Sequence, residues 1–459
     1  MNHQQSSSSS SLTKPRHKQL SVLLVSDFFY PRVGGVEVHI YQLAVSLIRL
    51  GLKVTVLTHH HKNRQGYHYM GNGIKVYYNT MMTLYDDTSF PTLYGTLKFL
   101  REVCIRESVD IVHCHQSTSV TALECLMHAR TLGLNTVYTD HSLFGFGDLA
   151  EVNINKVMRS IYTDLDQSIS VSNIARDNFI IRSMFHPSKT NVIPNGVDFT
   201  KFLPPSQDKP FTKDKITIVS ISRQAYRKGT DLLIEVIPEV CKMFPNVNFI
   251  IGGNGPKKPL LDNMVESSNL QSRVTLTGAL PHNKVRDIMI QGDIYLNTSL
   301  TESFCIAIVE AASTGLYTIA TDVGGVGEVL PDHMVKLVNA EKKSIIQGIK
   351  ETIENLERIK SVKNDEYNKV LSNAYSWHKV AHKTVKVYKR ALGYTDRSFI
   401  TRLKRALGIG NVSGVFHFCL LALDYLLFLF LSLIYPPTVI HKERRFNYEN
   451  YKKYLNKLE

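Results

Sequence analysis

From Gln19 onward, short apolar runs rich in β-branched residues alternate with stretches patterned and long enough for helices. Residues 21–25, 53–57, 111–113, 136–139 and 167–171 make a first series of runs. Residues 216–221, 247–251, 274–277, 294–297 and 317–320 make a second. A strand covered on both faces reads as a continuous apolar run, and parallel neighbours need a crossover helix between them. The alternation therefore predicts an α/β protein with parallel sheets and helices on both faces. Two series of five predict two doubly wound, Rossmann-like domains facing a crevice, rather than one very wide sheet. The joint falls near residues 194–198, and the Pro- and Lys-rich stretch 204–215 reads as a linker.

Two segments break this rhythm. Residues 1–17 are Ser-rich and polar and read as a disordered tail. The first apolar run is too short for a signal sequence, which leaves the main domains in the cytosol. Residues 415–435 form a mostly apolar run of twenty-one residues stopped by Pro436 and Pro437, the length of a transmembrane helix. Asp424 near its middle is costly in lipid and predicts a partner helix or a re-entrant segment. The domain plan is then 18–203, 204–390, a basic juxtamembrane segment 391–414, the span 415–435 and a short tail 436–459.

Charge agrees with a membrane. Of a net charge of +14, residues 379–405 carry nine Lys/Arg against one Asp, and the tail 436–459 carries six against three. The larger bias places the side before the span in the cytoplasm. No Arg interleaves with aromatics along a sheet, as a nucleic-acid surface would need, so nucleic acid is not an expected partner. Six cysteines lie in apolar segments without Cys-x-x-Cys spacing and read as reduced core residues. His59–His61 and the His113/Cys114/His115 triplet merely end strands, and no metal site is expected from them.

The chemistry gathers at strand ends. Glu302 follows the 294–297 run in a loop, and Glu310 lies about two turns further along, in the next helix and on nearly the same face. Two carboxylates beside a helix N-terminus suit a ligand with both hydroxyls and phosphates, such as a nucleotide-sugar. Gly34 and Gly35 precede a helix and let the backbone approach a phosphate; taken alone they fit an ordinary tight turn equally. His141, just past a strand end, faces the crevice of a doubly wound sheet. Arg223, Arg227, Lys228 and Gly229 at a strand-to-helix turn suit a diphosphate, although a solvated basic loop has the same composition. The Gly252-Gly253-Asn254-Gly255 turn lacks the full dinucleotide fingerprint. Asp322, Gly324 and Gly325 end another strand.

Taken in order, these motifs resemble the retaining glycosyltransferases of the GT-B fold that carry a Glu-x7-Glu motif, over residues 21–388. Within them the chain resembles the transferases that add N-acetylglucosamine to phosphatidylinositol, the first step of glycosylphosphatidylinositol (GPI) anchor synthesis. The segments that carry this likeness are Val25 to Glu37, Tyr138 to Phe146, Tyr226 to Gly229, Phe249 to Gly253, Asn297 to Glu302 and Ala307 to Ala312. The resemblance implies that Arg223 and Lys228 grip the UDP diphosphate, with a Gly35 backbone N–H, beside Gly34, on the β-phosphate. It implies that Glu310 binds the ribose, that Glu302 holds the sugar hydroxyls, and that His141 contacts the sugar near its reacting face. It further implies UDP-N-acetylglucosamine as donor, phosphatidylinositol as acceptor and retention of configuration. No metal or other cofactor is expected, because cations already face the leaving group. Other subunits of a membrane complex are expected partners, with a single-pass chain in the endoplasmic reticulum membrane and its catalytic domains on the cytoplasmic side. Gln224, Ala225 and Gly327 depart from the pattern without removing a charge. A transferase with another acceptor, or a scaffold that binds the donor without turnover, are the competing readings.

Overall fold

The structure is a computed structural model that describes residues 19–32, 34–61, 64–83, 88–145, 149–206, 212–361, 364–394 and 398–443. The expected N-terminal tail, part of the expected linker and residues 444–459 lie outside them. Eight strands form the first sheet: β1 (Ser21–Val25), β2 (Lys53–His59), β3 (Gly66–Tyr69), β4 (Lys75–Asn79), β5 (Ile111–His115), β6 (Asn135–Asp140), β7 (Gln167–Ser170) and β8 (Thr190–Val192). Their order is β3-β4-β2-β1-β5-β6-β7-β8, parallel except for the β3–β4 hairpin at one edge. Six parallel strands form the second: β9 (Ile216–Ile221), β10 (Val247–Gly252), β11 (Val274–Gly278), β12 (Ile294–Asn297), β13 (Tyr317–Thr321) and β14 (Val335–Val338), ordered β11-β10-β9-β12-β13-β14.

Both sheets bury their central strands completely; Val22 to Val25 and Ile294 to Leu296 are at most 1% exposed. That is why these segments read as unbroken apolar runs. At about 25 cal/mol per Å² of apolar surface, the helices packed on each face supply the main driving force for each lobe. In both sheets the order reverses at one place, between β1 and β5 and between β9 and β12. Loops leaving the carboxyl ends of strands at such a reversal splay apart and leave a crevice for ligand. The loops bearing Gly34, Arg223 and Glu302 start from three of these four strands, and the one bearing His141 follows the neighbouring β6.

The helix Trp377–Leu392, counted from the sequence with the second domain, packs in the core of the first. Trp377, Val380, Val387 and Tyr388 join Ile40, Leu43 and Val137 there, and Asn135 donates to the Ala391 carbonyl at 2.7 Å. Among the described residues the chain thus crosses between lobes twice, and the crossings touch. Val197 N–H donates to the Tyr375 carbonyl at 2.9 Å, and a Cβ on Gly196 would lie 2.5 Å from the Trp377 ring.

The apolar run forms one helix, Asn411–Ile434, long and apolar enough to cross a membrane. Its buried positions, Gly414, His417, Leu421 and Asp424, recur every three or four residues and face the first lobe. Phe416, Leu426 and Leu433 face outward and are exposed. The partner expected for Asp424 lies in the same chain. His128 Nδ1 approaches Asp424 Oδ1 at 2.7 Å and the Thr131 hydroxyl donates to Oδ2, both from the helix Val120–Thr131. The basic segment before the helix is partly used in the same way, since Arg402 and Arg405 both pair with Asp164 of the first lobe. Beyond the helix, Glu443 pairs with Lys75 at 3.1 Å. The six cysteines are free thiols, five of them buried and Cys419 exposed.

Candidate active site

In the second lobe the site begins at the turn after β9. Residues Tyr226–Lys228 make one 3-10 turn, closed by Gly229 at φ +67. A Cβ on Gly229 would sit 1.7 Å from the Thr298 carbonyl oxygen, so only glycine allows the turn to press against the loop after β12. Thr298 donates from its hydroxyl to the carbonyls of Lys228 and Gly229, and Leu300 N–H donates to the Arg227 carbonyl. This clamp brings the Lys228 ammonium onto the Glu302 carboxylate, which also accepts from the Ser299 hydroxyl at 2.9 Å. Burial works against the Lys228 charge, but the adjacent Glu302 outweighs it and raises the Lys228 pKa above the ordinary lysine value. Arg223 is exposed two residues beyond β9 and forms no ion pair with a described residue. Gln224, a departure from the family pattern, is 1% exposed; its amide nitrogen donates to the carbonyls of Ser222 and Gly252 and ties this loop to the glycine-rich turn after β10.

Glu310 lies in the helix Ile306–Ser313, little more than one turn from its start. That helix begins later than the sequence pattern implies, because Cys305 takes a left-handed conformation, φ +64, and breaks the turn before it. The Glu310 carboxylate lies 3.6 Å from His282 Nε2, close enough for a charge pair but long for a hydrogen bond. Burial raises the Glu310 pKa, and the proximity of Glu310 raises that of His282.

The first lobe brings a cluster of imidazoles. Gly34 caps the helix Gly35–Arg49, and His39 lies one turn below Gly35 on that helix. Gly35 has nothing within 4 Å of where a Cβ would stand, which leaves its backbone open to a ligand. The His39 ring packs edge-on against His141, with centroids 4.6 Å apart. His115, at the end of β5 and fully buried, stacks beside His141, and its Nδ1 lies 3.2 Å from His141 Nε2. Burial pushes the pKa of His39 down to about 4 and those of His115 and His141 well below the ordinary value. All three are neutral near pH 7. Their potential metal-ligand atoms lie within 4.8 Å of one another, the one such grouping found among the described residues.

The lobes meet directly beside these groups. Ser303 donates from its hydroxyl to the His141 carbonyl at 2.6 Å, and Ser172 donates to the Ser303 carbonyl at 2.7 Å. Glu328 accepts from the backbone N–H groups of Asn173 and Ile174 at 2.7 and 2.8 Å, which closes the start of a first-lobe helix with a second-lobe carboxylate. Gly324, at φ +54, sits against the Glu302 carbonyl and the Leu143 side chain, where a Cβ would come within 2.1 Å and 2.5 Å. His141 and Glu302 are thus held on two sides of one narrow contact. The structure joins Lys228 to Glu302, and the Glu302–Ser303 loop to His141. Glu310 lies in the adjoining helix, paired with His282. Gly34 and Gly35 connect to this group through His39, whereas Arg223 makes none of these contacts. His282, Ser303 and His39 also make contacts at this site and were not singled out from the sequence, while Gln224 and His115 were noted there without a role in the site. A histidine at a strand end was the only available hint for His115.

Comparison with known proteins bears on what this arrangement belongs to. A family described as PIGA (GPI anchor biosynthesis) matches residues 59–148, and glycosyl transferases group 1 matches residues 205–377. The chain is 48% identical over 92% of its length to a phosphatidylinositol N-acetylglucosaminyltransferase subunit of Arabidopsis thaliana, covering 94% of that protein. It is 43% identical over 94% of its length to the human protein of the same name, covering 88% of it. In fold, 82% of the chain superimposes on a whole chain of sucrose-phosphate synthase from Thermosynechococcus elongatus with a TM-score of 0.68 at 18% identity, and the architecture is GT-B. The chain is a glycosyltransferase and belongs to the PIGA family of phosphatidylinositol N-acetylglucosaminyltransferase subunits, which acts in GPI-anchor biosynthesis.

Proposed function

We propose that the chain transfers N-acetylglucosamine from UDP-N-acetylglucosamine to the inositol 6-hydroxyl of phosphatidylinositol, with retention of configuration. The observation that carries this reading is the Lys228–Glu302 pair held within one loop of His141. Arg223 and Lys228 receive the diphosphate, beside the Gly34–Gly35 backbone. Glu310 takes the ribose, Glu302 the sugar hydroxyls, and His141 the reacting face of the sugar. As the sugar departs through an oxocarbenium-like state, negative charge builds on the diphosphate, and the Lys228 ammonium meets it. Lys228 then exchanges part of its pairing with Glu302 for the phosphate, which frees Glu302 to accept from the sugar. The departing phosphate takes the proton of the acceptor hydroxyl on the same face of the ring. The reaction needs no metal, since the cations of the site do the work of a Lewis acid.

The enzyme works within a multi-subunit transferase complex at the endoplasmic reticulum membrane. Its lobes lie on the cytoplasmic side, and the Asn411–Ile434 helix is its membrane element. The test uses membranes expressing the chain with its partner subunits, radiolabelled donor and a panel of lipid acceptors. Labelled glycolipid should form with phosphatidylinositol alone of the panel, should persist in a chelator and should vanish with Glu310→Ala. No glycolipid from the native chain, or equal product with another lipid, would sink the assignment.

A further inference from the structure

The deepest-set groups of the site are its imidazoles, and their protons are constrained. Between His115 Nδ1 and His141 Nε2, 3.2 Å apart, two neutral rings share one proton. Either ring can donate, and the consequences differ at the far nitrogens. His115 Nε2 is buried with no hydrogen-bond partner. If His141 donated, His115 Nδ1 would be the acceptor and Nε2 would carry the proton, leaving an orphaned N–H in the core. Such a donor is rare in folded proteins, while an unpaired ring acceptor is more readily tolerated. The lower-cost arrangement has His115 Nδ1–H donating to His141 Nε2. His141 then carries its proton on Nδ1, which has no partner among the described residues and is not among the buried unsatisfied atoms.

We propose that His115 is a positioning residue that sets the tautomer of His141, so that His141 offers an Nδ1–H donor to the transferred sugar. The proposal rests on the functional reading above, which puts the sugar at His141. Neighbouring contacts support it. His113, its ring tilted against that of His115 with centroids 4.2 Å apart, has both nitrogens occupied, Nδ1 with the Tyr388 hydroxyl at 2.8 Å and Nε2 with the Thr139 hydroxyl at 2.7 Å. His113 is therefore not free to exchange protons with His115. His39 packs edge-on between His141 and Trp377 and holds the His141 ring in plane. Burial keeps all these rings neutral, so the arrangement does not change as pH moves through 7. The helix Trp377–Leu392 supplies both Trp377 and Tyr388, so the segment that closes the first lobe also braces the reacting histidine.

Two substitutions at His115 separate a donor from mere bulk. The Asn side chain places an N–H where His Nδ1 stood, whereas Phe fills the space without one. His115→Asn should keep transfer within roughly threefold of the native chain, and His115→Phe should lower kcat about tenfold or more, the scale of one lost hydrogen bond in the transition state, with KM for the donor little changed. In a His141→Ala background, His115→Phe should add no further loss, because a residue that acts through His141 has nothing left to act on. Complex assembly, followed by co-purification of the partner subunits, controls for folding. The proposal is overturned if assembled His115→Phe keeps native kcat, if His115→Asn is as impaired as His115→Phe, or if the two losses multiply independently. The native chain in the same assay tests the functional reading separately: without labelled glycolipid there, that reading has failed and not the tautomer.

Discussion

At the scale of single residues, the candidate site holds its charges in pairs. Lys228 is paired with Glu302 and Glu310 faces His282. Lys228→Ala should lower transfer by a factor of about 10² to 10³, the size seen when a charge that stabilises a leaving group is lost. It should also leave Glu302 without its cation, so Lys228→Ala combined with Glu302→Gln should fold better than Lys228→Ala alone, as read by thermal denaturation. His282 gives a pH dependence of definite sign. Its folded pKa lies above the ordinary 6.5, so its stabilising pairing is complete below that value and fades as pH rises through the folded value. The stability gap between the native chain and His282→Gln should therefore be widest near roughly pH 6 and close on going toward roughly pH 8. A gap that widened upward would place the His282 charge elsewhere. Glu302 and Glu310 were legible in the sequence because each follows an apolar run by a fixed short distance. His282 was not, because the strand it follows, β11, lies three places from β12 in the sheet and only tertiary packing brings it to Glu310.

At the scale of elements, turns and helix contacts do the positioning. Gly229→Ala forces a left-handed alanine and drives a methyl into the Thr298 carbonyl. The conformation alone costs about 1 kcal/mol, and the contact adds to it by pushing Lys228 away from Glu302. Transfer should fall further than thermal stability does; equal loss of the two would mean that the turn serves folding only. On the far side of the first lobe, His128→Leu leaves the Asp424 carboxylate in a buried apolar contact with Thr131 as its only described partner. Breaking one side of a buried pair costs about 3–5 kcal/mol, and Asp424→Leu added to it should recover much of that. Thermal denaturation of the detergent-solubilised complex would measure both. The strand runs fixed most of the two sheets, but β3, β4, β8 and β14 escaped them. β3 is a fully exposed edge strand carrying two tyrosines, so it offers no apolar run, and β8 has only three residues. The apolar helix was plain from composition, yet Asp424 could not reveal that its partner was the chain's own His128.

At the scale of the whole molecule, two lobes meet at the candidate site, and among the described residues the chain passes between them at Gly196 and near Trp377. The sequence placed the joint at residues 194–198 because Pro194 and Gly196 break the helical and strand patterns there. It offered no sign of the return, since only tertiary packing decides which sheet the helix Trp377–Leu392 covers. The structure puts the return helix on the first lobe and sets Gly196 directly beneath the Trp377 ring, with Val197 hydrogen-bonded to Tyr375. Any relative movement of the lobes must work against this contact. Gly196→Ala inserts a methyl where no space exists and should destabilise the fold by about 1–3 kcal/mol, the range for overpacking a well-filled site. Trp377→Leu relaxes the same contact and should restore stability in the double variant, because the smaller side chain accommodates the methyl. Activity should not follow, since Trp377 also braces His39 and, through it, His141. A double variant with native melting temperature and impaired transfer would show that the crossing positions His141 as well as stabilising the fold. If transfer recovered together with stability, the crossing would be a structural strut, and the positioning of His141 would rest on β5 and its own loop.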